Sequence, residues 1–187
     1  MANKFRYTAK GDDGKSSLIG QGRYSKTNLR FEALGTLDES SALIGLAKSM
    51  VSDLEIRSIL TQVQRDLYLI MGEVSDIHEK TETYSENINT RILWLEEKIK
   101  ELNNEVNSPG GFIVPGDSRE DAVLDITRTV VRRAERHMIR LIDVEAIDNP
   151  AYKQYLNRLS SLIFTMELVI HHRLGIGTPT MAKGSLQ

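Results

Sequence analysis

Between residues 53 and 77 the apolar side chains fall at Ile56, Ile59, Leu60, Val63, Leu67, Ile70, Met71, Val74 and Ile77, in steps of three and four without a break. A strand needs steps of two, so this stretch can bury one long face only as a helix, and that face needs other helices to cover it. The rest of the chain supplies them. A helix over 28–50 presents Phe31, Leu34, Leu37, Leu43, Ile44 and Ala47, with Gly35 costing it about 1 kcal/mol. A third, over 85–106, spaces Ile88, Ile92, Leu95, Ile99, Leu102 and Val106 for bundle packing. Asp117 or Ser118 caps a fourth, with Glu120 and Asp121 in capping-box register. Asn149 and Pro150 open the last, whose buried face runs from Tyr152, Tyr155, Leu156 and Leu159 through Leu162, Ile163, Met166, Val169 and Ile170. Five amphipathic helices without internal repeat or strand alternation predict an all-α, five-helix antiparallel bundle. The 187 residues read as one domain: a loop-rich arm over 1–27, the bundle over 28–175 and a mobile tail over 176–187.

Several function classes drop out. The chain has no cysteine, which removes disulfides, thiolate metal sites and a cysteine nucleophile. MANKFRYTAKGDDGK has no apolar core of a leader, and no run approaches the roughly 18 apolar residues of a membrane span, so a cytoplasmic protein without membrane partners is expected. The net charge of −2 conceals an asymmetry, because residues 1–30 carry seven Lys or Arg against Asp12 and Asp13. A basic arm on an acidic body suits nucleic acid, a phosphate ligand or an acidic neighbouring subunit. With only Phe5, Tyr7 and Tyr24 for stacking, nucleic acid is not expected.

The fourth helix poses a question of charge. Arg128, Arg132, Arg136 and Arg140 recur every fourth residue, with Arg133 beside them, and like charges at this spacing repel. Acidic side chains, water or a polyanionic ligand could answer the stripe. Asp125 and Glu135, each three residues from an arginine, answer part of it.

Other motifs are weaker. GDDGKSS ends in Gly-Lys-Ser, but Ala9 stands where a Walker A loop needs glycine and no apolar strand precedes it. The loop can still hold phosphates through its amides, its hydroxyls and Lys10, Lys15 and Lys26. SPGGFIVPGDS, 108–118, is a constrained loop whose Phe112, Ile113 and Val114 should pack on the bundle or line a pocket. No Glu-x-x-His pair exists for a di-iron site, and Glu167 with His171 reads as a helix-surface contact. His78, His137 and His172 read as surface histidines. Asp38, four residues after Leu34, lies near an apolar face, where it would need Arg128 or Arg132 as partner unless it is a surface aspartate. Asn157 is a polar residue among apolar ones, suited to a hydrogen bond within the bundle.

Taken in order, YTAKGDDGKSSLIGQGRYSK, RFEALGTLDE, GGFIVPGDS, TRTVVRRAER and YLNRLSSLIF resemble the PduO-type ATP:cob(I)alamin adenosyltransferases over most of the chain. The resemblance implies a ferritin-like cobalamin adenosyltransferase architecture, a homotrimer with sites at subunit interfaces, and transfer of the 5′-deoxyadenosyl group of ATP to corrinoid cobalt with release of triphosphate. It implies that Thr8, Gly11, Ser16, Ser17 and Lys26 wrap the ATP phosphates, while Arg132, Arg133, Ala134, Glu135, Arg136 and Asn157 hold the nucleotide. Arg128 then pairs with Asp38 across the interface, and Phe112 occupies the lower face of cobalt. On this reading the missing polyanion is MgATP, with Mg2+ held through the phosphates rather than by a protein metal site.

Cob(I)alamin is itself a strong nucleophile, so such a protein must orient ATP, neutralise the triphosphate and exclude water, and it needs no general base. A reductase upstream and an adenosylcobalamin-dependent enzyme downstream are the partners this chemistry calls for. The sequence departs from the family at Ala9 and Lys10. Lys10 adds a phosphate contact on our own reading. A bundle that kept the nucleotide clamp without transfer, as an ATP-binding module or cobalamin carrier, is the alternative.

Overall fold

The structure is a computed structural model that describes residues 9–19, 21–76, 82–145 and 151–183. Five helices follow a short hairpin: β1 (Lys15–Leu18), β2 (Gln21–Ser25), α1 (Leu29–Met50), α2 (Leu54–Ser75), α3 (Glu82–Asn103), α4 (Arg119–Glu145) and α5 (Ala151–Arg173). The all-α five-helix bundle expected from periodicity is the observed fold. α4 packs between α1 and α5, α2 leans on α1, and α3 leans on α5.

Three of the helix starts, those of α1, α2 and α4, have a local chemical cause. Asn28 Oδ1 accepts from the Arg30 amide (2.8 Å), Asp53 Oδ1 from Ile56 (3.0 Å) and Ser118 Oγ from Asp121 (3.0 Å), satisfying amides that a helix leaves unpaired at its first turn. Ser118 is therefore the α4 cap. The Asp121 side chain does not complete a capping box, because it turns inward to His171. Asn149, Pro150, Ile77 and His78 lie outside the described residues.

The α2 stripe is the core. Ile56, Ile59, Leu60, Val63, Leu67, Ile70 and Val74 are all buried, each contributing about 1.5–3 kcal/mol by leaving water, while Met71 is half-buried. Phe31, Leu34 and Leu43 of α1 are also only half-buried, and Ala33, Leu37, Ile44 and Ala47 make its inner face. α3 stops at Asn103 instead of running to 106, since the Asn104 and Glu105 amides turn back onto Glu101 and Leu102 in a tighter ring. Val106 still packs against the core from the loop beyond.

A buried carboxylate ties helices together inside this apolar frame. Asp66 of α2 accepts from Arg91 Nε (2.9 and 3.0 Å), Gln62 Nε2 (2.9 Å) and the Tyr155 hydroxyl (2.9 Å), so three helices share one carboxylate. Burial, with Asp66 beside it, pushes the Tyr155 hydroxyl well above its ordinary range and keeps it a donor. At one end of the bundle, Arg30 joins α1 to Glu145 of α4 (2.6 Å) and to the Val74 carbonyl of α2 (2.9 Å), while Tyr152 donates to Glu73.

Two sequence expectations need correction. The arm is not all loop: Lys15–Leu18 and Gln21–Ser25 pair as an antiparallel hairpin with an irregularity between Ser17 and Leu18. Strands this short carry too few residues to show alternation. The tail, expected to be mobile over 176–187, is tied to the rest of the chain over part of its described length. Val114 donates to the Thr180 carbonyl (2.7 Å) and Ala182 to the Phe112 carbonyl (2.8 Å), so the tail forms a short ladder along the α3–α4 loop. Residues 184–187 lie outside the described residues.

Candidate active site

The α3–α4 loop is shaped by glycines that adopt conformations other residues avoid, Gly110 at φ 68 and Gly116 at φ 110. It is tied down from the far side. The Asp117 carboxylate accepts from the Thr180 amide (2.9 Å) and hydroxyl (2.7 Å), and those bonds hold it below the usual carboxylate range.

Between this loop, the end of α3 and the facing stretches of α4 and α5 lies a cleft of about 960 Å³, large enough for a sizeable organic ligand. Phe112 and Ile113 line it from the loop, and Arg128 and Arg132 from α4. Phe112 is 87% exposed, a large apolar ring presented to the cleft and left uncovered by the other described residues. Ser160, Phe164 and Leu168 line it from α5, a helix whose periodicity points only to the core. The half-exposure of Phe164 is the detail an apolar pattern cannot register.

The arginine stripe divides into paired and unpaired members. Arg128 is held by Asp125 (2.6 and 2.9 Å), Arg133 by Glu39 of α1, and Glu135 accepts from Asn157 Nδ2 (3.2 Å). Glu135 therefore belongs to Asn157 rather than to Arg132. Arg132 and Arg136 are exposed and form no ion pair among the described residues, and Ala134 is buried against the core beneath them. Asp38 is exposed on α1, so within one protomer it is a surface aspartate and not a partly buried one.

The arm stands apart from this cleft. Arg23 bonds Asp13 (2.7 and 2.8 Å), the Lys15 carbonyl (3.1 Å) and the Lys10 carbonyl, while Lys26 Nζ donates to the Gly11 carbonyl (2.8 Å). The cations of the arm thus first shape its own turn, with Ala9 held at φ 53. Ser16 and Ser17 lie on β1, opposite Tyr24 and Arg23. The hairpin is anchored through the Ile19 amide to the Ser75 carbonyl (3.1 Å), and among the described residues no hydrogen bond or ion pair joins it to Arg128, Arg132 or Arg136. Thr8 lies outside the described residues.

Behind the cleft wall the pairing differs from the sequence expectation. Glu167 and His171 are both buried rather than on the surface, and His171 Nδ1 meets Asp121 Oδ2 (3.1 Å) instead of Glu167. Burial, together with Asp125 and Asp121, pushes the Glu167 carboxyl up to about 8 against the opposing pull of Arg128. No group of three His, Asp or Glu side chains among the described residues could hold a metal ion.

Known proteins resemble this chain in sequence and in fold. A corrinoid adenosyltransferase of Bacillus subtilis is 34% identical over 175 residues, covering 91% of this chain and 89% of the relative. A cobalamin adenosyltransferase of Cupriavidus metallidurans is 36% identical over 176 residues, covering 93% and 91%. Among solved structures, a variant PduO-type ATP:corrinoid adenosyltransferase from Lactobacillus reuteri, complexed with cobalamin and ATP, matches with a TM-score of 0.86 at 26% identity, covering 95% of this chain and 99% of that one. With the cobalamin adenosyltransferase pattern matching residues 6–170, nearly the whole span from arm to last helix, the chain belongs to the cobalamin adenosyltransferase family.

Proposed function

We infer that the protein transfers the 5′-deoxyadenosyl group of ATP to the cobalt of reduced cob(I)alamin or a related corrinoid. The observation that carries this reading is one cleft holding both an uncovered Phe112 and the guanidinium groups of Arg128 and Arg132. The cobalt(I) electron pair attacks C5′ of ATP, a cobalt–carbon bond forms, the C5′–oxygen bond breaks, and triphosphate leaves with the bonding pair. Arg132, Arg133 and Arg136 neutralise that leaving group, and Glu135 with Asn157 orients the nucleotide beside Ala134. Magnesium arrives with the phosphates and supplies further charge neutralisation there.

On the cobalt side, Phe112 fills the lower axial face, excluding water and the lower ligand. Arg128 and Asp38 meet across a subunit interface to position the corrin. The arm's separation from the arginine stripe supports a site built from two copies: Thr8, Lys10, Gly11, Ser16, Ser17 and Lys26 of one protomer close over the arginines of the next, in a homotrimer. A reductase supplies the electron, and an adenosylcobalamin-dependent enzyme takes the product. No helix among the described residues is long and apolar enough to cross a membrane.

Mixing the protein with MgATP and chemically reduced cob(I)alamin tests the reading. Adenosylcobalamin in the visible spectrum with an equal amount of triphosphate is the expected result. Tight ATP binding with no product would point to the carrier instead. Sedimentation at micromolar concentration checks the trimer.

A further inference from the structure

Glu167 is 2% exposed on the face of α5 that packs against α4, directly before Leu168 of the cleft wall. Its neighbours are ionisable side chains. Asp121, Asp125 and Arg128 face it from α4, His171 lies one turn along its own helix, and Asp117 borders the same small cavity from the loop. That cavity, about 10 Å³, has room for about one water and lies under residues 113–117. Three side-chain atoms of the residues that line it, Glu167 Oε2, Asp121 Oδ1 and His171 Nε2, have no hydrogen-bond partner among the described residues. A buried polar group left so is costly, and a cluster of three is not explained by packing.

We propose that Glu167 is a positioning residue for the cobalt side of the transfer, setting through the Arg128–Asp125 pair and the floor beneath residues 113–117 how Arg128 and Phe112 are presented to the corrinoid. The inference rests on the transferase reading of the same cleft. While neutral, Glu167 leaves Arg128 on Asp125, with its guanidinium lining the cleft. Once ionised, it sets a third carboxylate beside Asp121 and Asp125 and competes for the same guanidinium, drawing Arg128 away from the cleft. It also repels Asp117, whose bonds to Thr180 hold the loop to the tail. The raised affinity of this carboxyl for its proton, to about 8, places that change between neutral and mildly alkaline pH.

The test is the pH profile of the intact protein and its Glu167→Gln variant, which keeps shape and neutrality. At pH 9, about one unit above the midpoint, the neutral form falls to about a tenth, so KM for cob(I)alamin should rise ~10-fold relative to pH 7 in the parent. KM for ATP should stay level, and Glu167→Gln should keep its pH 7 corrinoid KM at pH 9. The visible spectrum of bound cob(II)alamin, which reports lower-face coordination, should shift with pH in the parent and not in the variant. A variant that tracks the parent through the whole profile overturns the proposal, as does a parallel rise in the ATP KM. No product from the parent at any pH would sink the transferase reading itself, which makes the two failures distinguishable.

Discussion

Asp66 and Glu167 are buried to the same 2% exposure in one bundle, yet only the first is satisfied. Asp66 receives hydrogen bonds from Arg91, Gln62 and Tyr155, so its charge is answered from three helices. Glu167 keeps an oxygen without a partner and is better off holding its proton. Burial alone therefore does not say what a carboxylate is for. Where partners saturate it, the group locks helices together; where they do not, beside a cleft, it remains free to respond to its surroundings.

The contrast can be broken from the Asp66 side first. Asp66→Ala strands the Arg91 charge and the Tyr155 hydroxyl in the core, and urea unfolding at pH 7 should show a loss of about 3–5 kcal/mol. A loss below about 1 kcal/mol would mean the network adds nothing to the fold. On the cleft side the effect should fall on ligand and not on stability. Arg132→Ala removes an exposed cation, so calorimetry should show ATP affinity down ~10- to 100-fold with the melting temperature unchanged.

Acidity sharpens the comparison further. Glu73 and Glu167 hold their protons more tightly in the fold than in the unfolded chain, at about 7 and about 8. The fold keeps its full stability below about pH 4.5, where both states hold these protons, and loses it as pH rises from there to about 7 for Glu73 and about 8 for Glu167, by at most on the order of 5 kcal/mol for Glu167. Melting temperatures between pH 5 and 9 should fall accordingly, and Glu167→Gln should leave only the shallower decline that belongs to Glu73. Smallest of all, Ser118→Ala frees one α4 amide beneath the cleft and should cost about 1 kcal/mol without altering that decline.

The long period of α2 was legible because seven of its side chains point at one core, and the same arithmetic located α1 and α5. The hairpin at 15–25 was not legible, since strands of four and five residues are held by Arg23, Lys26 and glycine turns rather than by apolar alternation. Within the cleft, Phe112 and the arginines stood out by type and spacing, but what they serve came from the family resemblance. Glu167 could not. An acidic residue beside His171 has the spacing of a surface pair, and only the opposing helix, with Asp121 and Asp125, reveals that both are inside. Sites formed by a second element are invisible to a reading that follows one helix at a time.

The ladder between loop and tail joins Val114 to Thr180 and Phe112 to Ala182 through two backbone amides. Those amides share one opening event, so in deuterated solvent the Val114 and Ala182 hydrogens should exchange at a common rate. That rate is an internal clock for how often the strip carrying Phe112 lets go, readable with no corrinoid present. Binding that needs the strip closed should slow both hydrogens together, and binding that needs it open should hasten them.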